Sequence, residues 1–471
     1  MKLNKRIITV MAAVCSLFLA EIIYLTYFSL FQAKDIVNSS YNQRIWEKEE
    51  RVLRGNIYDR SGTLLAQSRE TDDGQKREYP YKELYAHSIG YNSRTYGKTN
   101  IELKFNDYLL RTQNVLDVLR SEDKKAHFEN GASLELTLDH ELTKTAAELM
   151  RKSNGAVTAM NPATGEVYCL YSYPSFDPNE EVLVKNWDSL TGDEASPFVA
   201  RATKGLYAPG STFKIITSAA GIMNGYENFT FKDEGKIKID GKELKNSGGR
   251  SYGNLDMAGA FKHSSNVYFS ALSQKIGADK LGSTAEDFLI TKEIPFDIPT
   301  SGRNVMFSEL SGIELASTAI GQGKLLVTPM HMMMAASAIA NDGVMMKPFM
   351  VRRAFYENGG DVYNMQPFSL SNATDANTAA IIKEYMIGCV KSGTGRSARV
   401  SGIEVAGKTG TAENEKEGKT HAWFVCFAPA DNPQIAICVM KEYSGSGGGS
   451  VCAPIAAKLI KKALETGIIT K

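Results

Sequence analysis

Ser211-Thr212-Phe213-Lys214 sets a hydroxyl and an amine three residues apart, directly after Ala208-Pro209-Gly210 and ahead of an apolar run. A Pro-Gly stop followed by such a run starts a helix. Ser211 then lies in a first turn whose unpaired N–H groups favour developing negative charge, with Lys214 on the same face. A neutral Lys214 amine can take the hydroxyl proton if burial or a neighbouring cation depresses its pKa, which makes Ser211 a nucleophile. The four-residue pattern alone is weak: Ser121-Glu122-Asp123-Lys124 also fits it, without the Pro-Gly stop or the apolar helix.

Ser264-Ser265-Asn266 supplies a second pair. Residues two apart in an extended loop share a side, so Ser264 can pass a proton between Lys214 and a leaving amine while Asn266 holds a substrate amide. Ser40-Tyr41-Asn42 fits the bare pattern too, but adjoins an apolar N-terminal run. The third element is Lys408-Thr409-Gly410-Thr411, on a strand that begins Val405-Ala406-Gly407. On a strand edge the lysine and threonines can bind a substrate carboxylate, and Gly410 lets the substrate backbone come close. Lys391-Ser392-Gly393-Thr394 competes for this role; apolar strand runs follow the 408 copy, whereas 391–394 reads as a Gly/Ser loop. The N–H groups of Ser211 and Thr411 would then form an oxyanion hole, each donor contributing about 3 kcal/mol.

These residues need a scaffold. Leu134, Leu136 and Leu138 alternate with polar residues, Glu141 to Lys152 has a helical pattern, and Gly155 to Tyr171 reads as two strands turned at Asn161-Pro162-Ala163-Thr164-Gly165. After Ser211 the pattern is mostly helical to about 341, where Met330, Met332, Met333 and Met334 read as core packing. Three strand-like runs follow, Val405–Thr411, Trp423–Ala428 and Ile435–Tyr443, then a glycine-rich loop at Ser444–Ser450 and an amphipathic helix from Val451 to Leu464. The loop lacks a P-loop lysine and reads as a mobile rim to the site. Strands at both ends of a helical middle predict an α+β domain whose sheet is completed by sequence-distant strands.

Upstream, residues 32–135 are polar with dispersed Tyr, Arg and Gly, the pattern of a small, extended, β-rich module. Ile7 to Phe31 is apolar apart from Glu21, longer than the roughly 20 residues that cross a bilayer. It reads as one transmembrane helix. Lys2, Lys5 and Arg6 precede it, so residues 1–6 stay cytoplasmic and the remainder lies outside. A cleaved signal peptide is the competing reading, against which stand the length of the run and the lack of a clear A-x-A site. Glu21 at mid-membrane costs about 2.5–3.5 kcal/mol and either faces a partner or is tolerated protonated.

The 471 residues carry 54 Lys+Arg against 53 Asp+Glu, a net charge of +1 that argues against nucleic acid as partner. Six cysteines without a C-x-x-C pattern make a disulfide framework or zinc site a poor expectation, although Cys426 and Cys438 could face each other across a hairpin. Six dispersed histidines suggest no metal site and no cofactor is expected; His263 and His421 invite a Ser-His reading, but Lys214 already fills the base role.

The three elements, in the order Ser211, Ser264, Lys408, resemble the S-x-x-K, S-D-N and K-T-G set of penicillin-binding proteins and class A β-lactamases. Arg54-Gly55-Asn56-Ile57-Tyr58-Asp59-Arg60-Ser61-Gly62 looks like the R-G-x-I-x-D-R-x-G signature of class B penicillin-binding proteins, and Arg77-Glu78-Tyr79-Pro80 and Ile320-Gly321-Gln322-Gly323 are similar to further family segments. The resemblance implies a transmembrane helix at 7–31, a non-catalytic pedestal at 32–139 and, at 140–471, a transpeptidase domain with an antiparallel sheet flanked by helices. It implies Ser211 as nucleophile, Lys214 as its base, Ser264 and Lys408 as proton relay, and Asn266, Thr409, Gly410 and Thr411 as substrate contacts. It further implies peptidoglycan stem peptides and β-lactams as ligands and a polytopic lipid-II glycosyltransferase as membrane partner. A β-lactamase or β-lactam sensor shares the serine motifs but not the pedestal-like segment, and a scaffold with a dispensable catalytic centre would not need intact motifs.

Overall fold

A computed structural model describes residues 5–28, 31, 52–72, 74–111, 129–151, 153–302, 305–357, 360–413 and 419–470. The competing motif copies at 121–124 and 40–42 lie outside these residues. The C-terminal two thirds is built on a five-stranded antiparallel sheet in the order Val167–Tyr173, Gly155–Met160, Ile435–Lys441, Thr420–Ala428, Ala406–Glu413. Strands from both ends of the domain thus pair with each other, as the sequence predicts. The central strands are buried on both faces, which is why they read as continuous apolar runs.

Alternation along these strands splits the core in two. Val425, Phe427, Ala436 and Cys438 enter one cluster, and Phe424, Cys426, Ile437 and Val439 the other. Cys426 is registered with Ile437 and Cys438 with Val425, so the two thiols lie on opposite faces. The expectation that they face each other is therefore overturned, and all the described cysteines are free. Helix Pro329–Ala340 covers the first face, and helices His140–Met150 and Ala453–Glu465 the second. The Pro329–Ala340 helix starts at a capping box formed by Thr328 and His331 and is buried on every side, so its methionines are core.

Two sequence readings need correction. Helix Ala376–Ser392 runs through Lys391 and Ser392, so that copy of the third motif begins on a helix rather than in a loop. Between the helices Lys214–Met223 and Met257–His263 the chain forms strands Phe231–Asp233, Lys236–Ile239, Lys242–Lys245 and Gly253–Leu255, where a helical middle was expected. The reason is local: Ile237 and Ile239 alternate with lysines, and Asp240-Gly241, at φ 48° and 78°, makes a tight turn between two paired strands.

The N-terminal module has a six-stranded sheet ordered Asp361–Asn364, Val351–Phe355, Ser133–Leu136, Ile57–Tyr58, Leu64–Thr71, Gly74–Glu78. Two of its strands come from beyond residue 350, tying the module to the C-terminal two thirds. The segment at 54–62 explains itself physically. Arg54 and Arg77, both buried, clasp the buried Glu102 at 2.7 and 2.8 Å. A side chain at Gly55 would collide with the Ala132 carbonyl. Asp59 accepts from the Ser61, Thr63 and His140 N–H groups, and the Arg60 guanidinium lies 4.5 Å from the Tyr168 ring centre, so this turn clamps the module onto the domain that follows. Helix Lys5–Tyr27 is apolar and long enough to cross a membrane.

Candidate active site

Gly210–Phe213 forms a 3-10 turn that runs straight into the helix Lys214–Met223, which brings Ser211 and Lys214 onto one side. Gly210, at φ 54°, lies against the Thr411 carbonyl, and its N–H donates to the Gly321 carbonyl at 2.8 Å. Gly321, at φ 76°, has room for no side chain against the Gly210 carbonyl. Three backbones at closest approach thus fix Ser211 beside strand Ala406–Glu413, the edge of the five-stranded sheet. An edge strand has free backbone groups that an extended peptide can pair with.

The Lys214 Nζ donates to Ser211 Oγ at 3.0 Å, to the Ser264 carbonyl at 2.8 Å and to Asn266 Oδ1 at 2.8 Å, and reaches Ser264 Oγ at 3.4 Å. Lys408 Nζ donates to Ser264 Oγ at 2.9 Å. Ser211, Lys214, Ser264 and Lys408 therefore form one continuous chain of hydrogen bonds, to which Asn266 is attached. Both lysines are fully buried, against Phe269 and Phe261 respectively. Burial pushes the Lys214 pKa well down, the nearby Lys408 charge pushes it further, and Asp233 opposes them. Burial also lowers Lys408, to about 8.

Ser264 and Asn266 converge for a different reason from the one expected. Ser264 ends helix Met257–His263 in the left-handed conformation (φ 58°), and Asn266 opens helix Asn266–Ile276, so a helix–helix corner, not an extended loop, aims both at Lys214. Thr409 is buried, and its hydroxyl lies 2.6 Å from that of Thr394; Thr411 is exposed on the same face, beside Gly447. The rejected 391–394 copy thus contributes Thr394 to the surroundings of the 408 motif. Gly448 and Gly449 abut the backbone of Gly410 and Thr394, placing the glycine-rich segment at the rim of the site. His263 stacks on Tyr252, and His421 lies between Tyr207 and Tyr443; among the described residues neither bonds to Ser211.

Sequence reasoning missed Asp233, Asn246 and Ser265, which lie buried behind this corner. No short spacing links Asp233 and Asn246 to the motifs. Among the described residues no group of acidic, cysteine and histidine side chains is arranged to hold a metal ion.

Residues 155–461 match the penicillin-binding protein transpeptidase domain, and residues 54–134 the penicillin-binding protein A dimerisation domain. The chain is 31% identical to the peptidoglycan D,D-transpeptidase PbpA of Mycobacterium tuberculosis, over 97% of this chain and 98% of that one. Its structure is similar to that of penicillin-binding protein A from M. tuberculosis in a ceftriaxone acyl-enzyme complex, with a TM-score of 0.83, 30% identity, and 88% of this chain and 99% of that one covered. A D,D-transpeptidase domain from Eggerthella lenta superposes with a TM-score of 0.80 at 32% identity, over 88% of this chain and 99% of that one. With a matching catalytic domain, a matching dimerisation domain and full-length relatives of one activity, the chain belongs to the class B penicillin-binding proteins, the peptidoglycan D,D-transpeptidases.

Proposed function

We propose that the transpeptidase reaction runs through Ser211, with Lys214 as its base, Ser264 and Lys408 as the proton relay, and Asn266, Thr409, Gly410 and Thr411 along the substrate. The observation that carries this reading is the unbroken hydrogen-bond chain through two buried lysines. The neutral Lys214 amine takes the Ser211 proton as Oγ attacks the penultimate carbonyl of a D-Ala-D-Ala stem. Negative charge on that carbonyl oxygen falls to the Ser211 and Thr411 N–H groups. The proton passes by way of Ser264 to the departing D-alanine nitrogen, leaving an acyl-Ser211 ester. An amine of a second stem then attacks the ester, gives up its proton to the same relay and forms the cross-link. A β-lactam enters by the same acylation.

The wider reading has residues 32–139 as pedestal and 140–471 as transpeptidase domain, with helix Lys5–Tyr27 as a single-pass anchor. Lys2, Lys5 and Arg6 support a cytoplasmic N-terminus and an extracytoplasmic catalytic domain. Glu21 in the anchor supports contact with a polytopic lipid-II glycosyltransferase. The test is fluorescent-penicillin labelling of wild type and Ser211→Ala: the wild-type chain labels and the variant does not. Full labelling of Ser211→Ala would remove Ser211 as nucleophile.

A further inference from the structure

Asp233 ends a short strand in the segment between the first two motifs, and its carboxylate is completely buried. Four hydrogen bonds converge on it. Oδ1 accepts from the Gly235 N–H at 2.7 Å and from Asn246 Nδ2 at 2.8 Å; Oδ2 accepts from Asn246 Nδ2 at 2.8 Å and from Ser265 Oγ at 2.6 Å. The Asn246 amide held in this way turns its oxygen to the N–H groups of Asn266 (2.7 Å) and Val267 (3.1 Å), the first turn of the helix that carries Asn266. Ser265, the residue between Ser264 and Asn266, caps that helix by accepting from the Tyr268 N–H. The Asn266 side chain is completed by donation to the Lys245 carbonyl at 2.9 Å, from the same inserted hairpin.

We propose that Asp233 is a positioning residue of the transpeptidase reaction: it grips Asn246 and Ser265, and through them fixes Ser264 and Asn266 against the Lys214 amine. This deepens, and rests on, the reading of Ser211 and Lys214 given above. A surface loop would suffice to present Ser264 and Asn266 to substrate, whereas a buried carboxylate with two dedicated amide and hydroxyl partners is expensive to desolvate and holds one geometry. The same carboxylate acts on Lys214 as a fixed negative charge. The charged groups facing Lys214 are Lys408, from the edge strand, and Asp233, from the insertion; Ser211, Ser264, Asn266 and the Phe269 ring complete its surroundings. Lys408 in turn lies near Cys389. Of these two charged groups Asp233 is the one that favours the ammonium form, so removing its charge makes the amine easier to deprotonate.

The test is the second-order rate of acylation by benzylpenicillin against pH, on the full-length chain in detergent. Asp233→Asn keeps the shape and removes the charge. Its acid limb moves to lower pH, and its plateau falls by about tenfold or more as the corner loosens. Ser265→Ala keeps the charge and cuts one link, so the plateau falls while the acid limb stays in place. A plateau and limb for Asp233→Asn that superimpose on wild type would overturn the proposal. Should Asp233→Asn fail to fold, Ser265→Ala and Asn246→Ala decide: plateau rates equal to wild type in both would overturn it equally. Ser211→Ala is run beside them. Labelling that survives in Ser211→Ala removes the parent reading, whereas a dead Ser211→Ala with an unaltered Asp233→Asn removes only the role of Asp233.

Discussion

Lys214 donates to neutral oxygen acceptors on three sides but has no carboxylate bonded to it among the described residues, so the burial and the Lys408 charge that disfavour its ammonium form meet no ion-paired partner within hydrogen-bond reach. Lys214→Arg installs a cation that stays protonated at neutral pH. Penicillin acylation is expected to fall at least about a hundredfold while the melting transition persists; near-normal labelling would remove Lys214 as the base. The same surroundings bear on the fate of the ester. Fast hydrolysis needs a second base to set a water against the acyl group, and Glu286, Glu293, Glu309 and Glu314, acids between the second and third motifs, are all exposed. A penicilloyl-Ser211 adduct should therefore persist for many minutes and appear by intact mass as a single addition. Turnover of several penicillins per second without accumulated adduct would show a hydrolase instead.

At the scale of elements, the close approach of Gly321 to Gly210 holds the nucleophile turn against the edge strand. Gly321→Ala meets both a positive φ and a carbonyl, and is expected to destabilise by about 1–3 kcal/mol and to cut acylation more than a tenfold stability-matched control does; the comparison of labelling rate with melting temperature checks it. Acid stability divides by element too. Burial lowers His331 to about 4, and a proton added to its ring would oppose the Thr328 N–H in the capping box. Because this folded pKa lies below the ordinary 6.5, its contribution is complete above 6.5 and is lost as pH falls through about 4. Burial alone would raise Glu102, but Arg54 and Arg77 outweigh it and hold the carboxyl at about 2, so its contribution is complete above 4.5 and is lost as pH falls towards 2. Glu102→Gln should destabilise by about 3–5 kcal/mol at neutral pH and abolish the second of these losses, as urea titrations across pH would register. Ser211, Ser264 and Lys408 were legible because their chemistry demands fixed short spacings. Asp233 and Asn246 were not: their partnership spans a hairpin that was itself misread, although the Lys-Ile alternation and Asp240-Gly241 carried the signal. The extra pedestal strands at 351–364 were invisible, since pairing over such a separation leaves no local pattern.

For the whole molecule, the charges before the anchor predict that protease added to intact protoplasts digests nearly everything beyond about residue 32; full protection of 40–471 would invert the topology. Glu21→Leu should leave penicillin labelling intact and weaken co-purification with the proposed partner, a polytopic glycosyltransferase, and unchanged co-purification would make Glu21 a tolerated carboxylate. The strand order carries one more consequence, in time rather than in space. Strand Ile435–Lys441 is inserted between Gly155–Met160 and Thr420–Ala428, so the first half of the sheet waits with an open edge until nearly the whole chain has emerged. Such long-range pairing is slow and exposes apolar surface meanwhile. All four residues of the proton chain lie upstream of that strand. A chain stopped after Ala430 would possess every one of them but lack the strand that joins the two halves of the sheet, so it is expected to take up no penicillin label until that last strand has arrived.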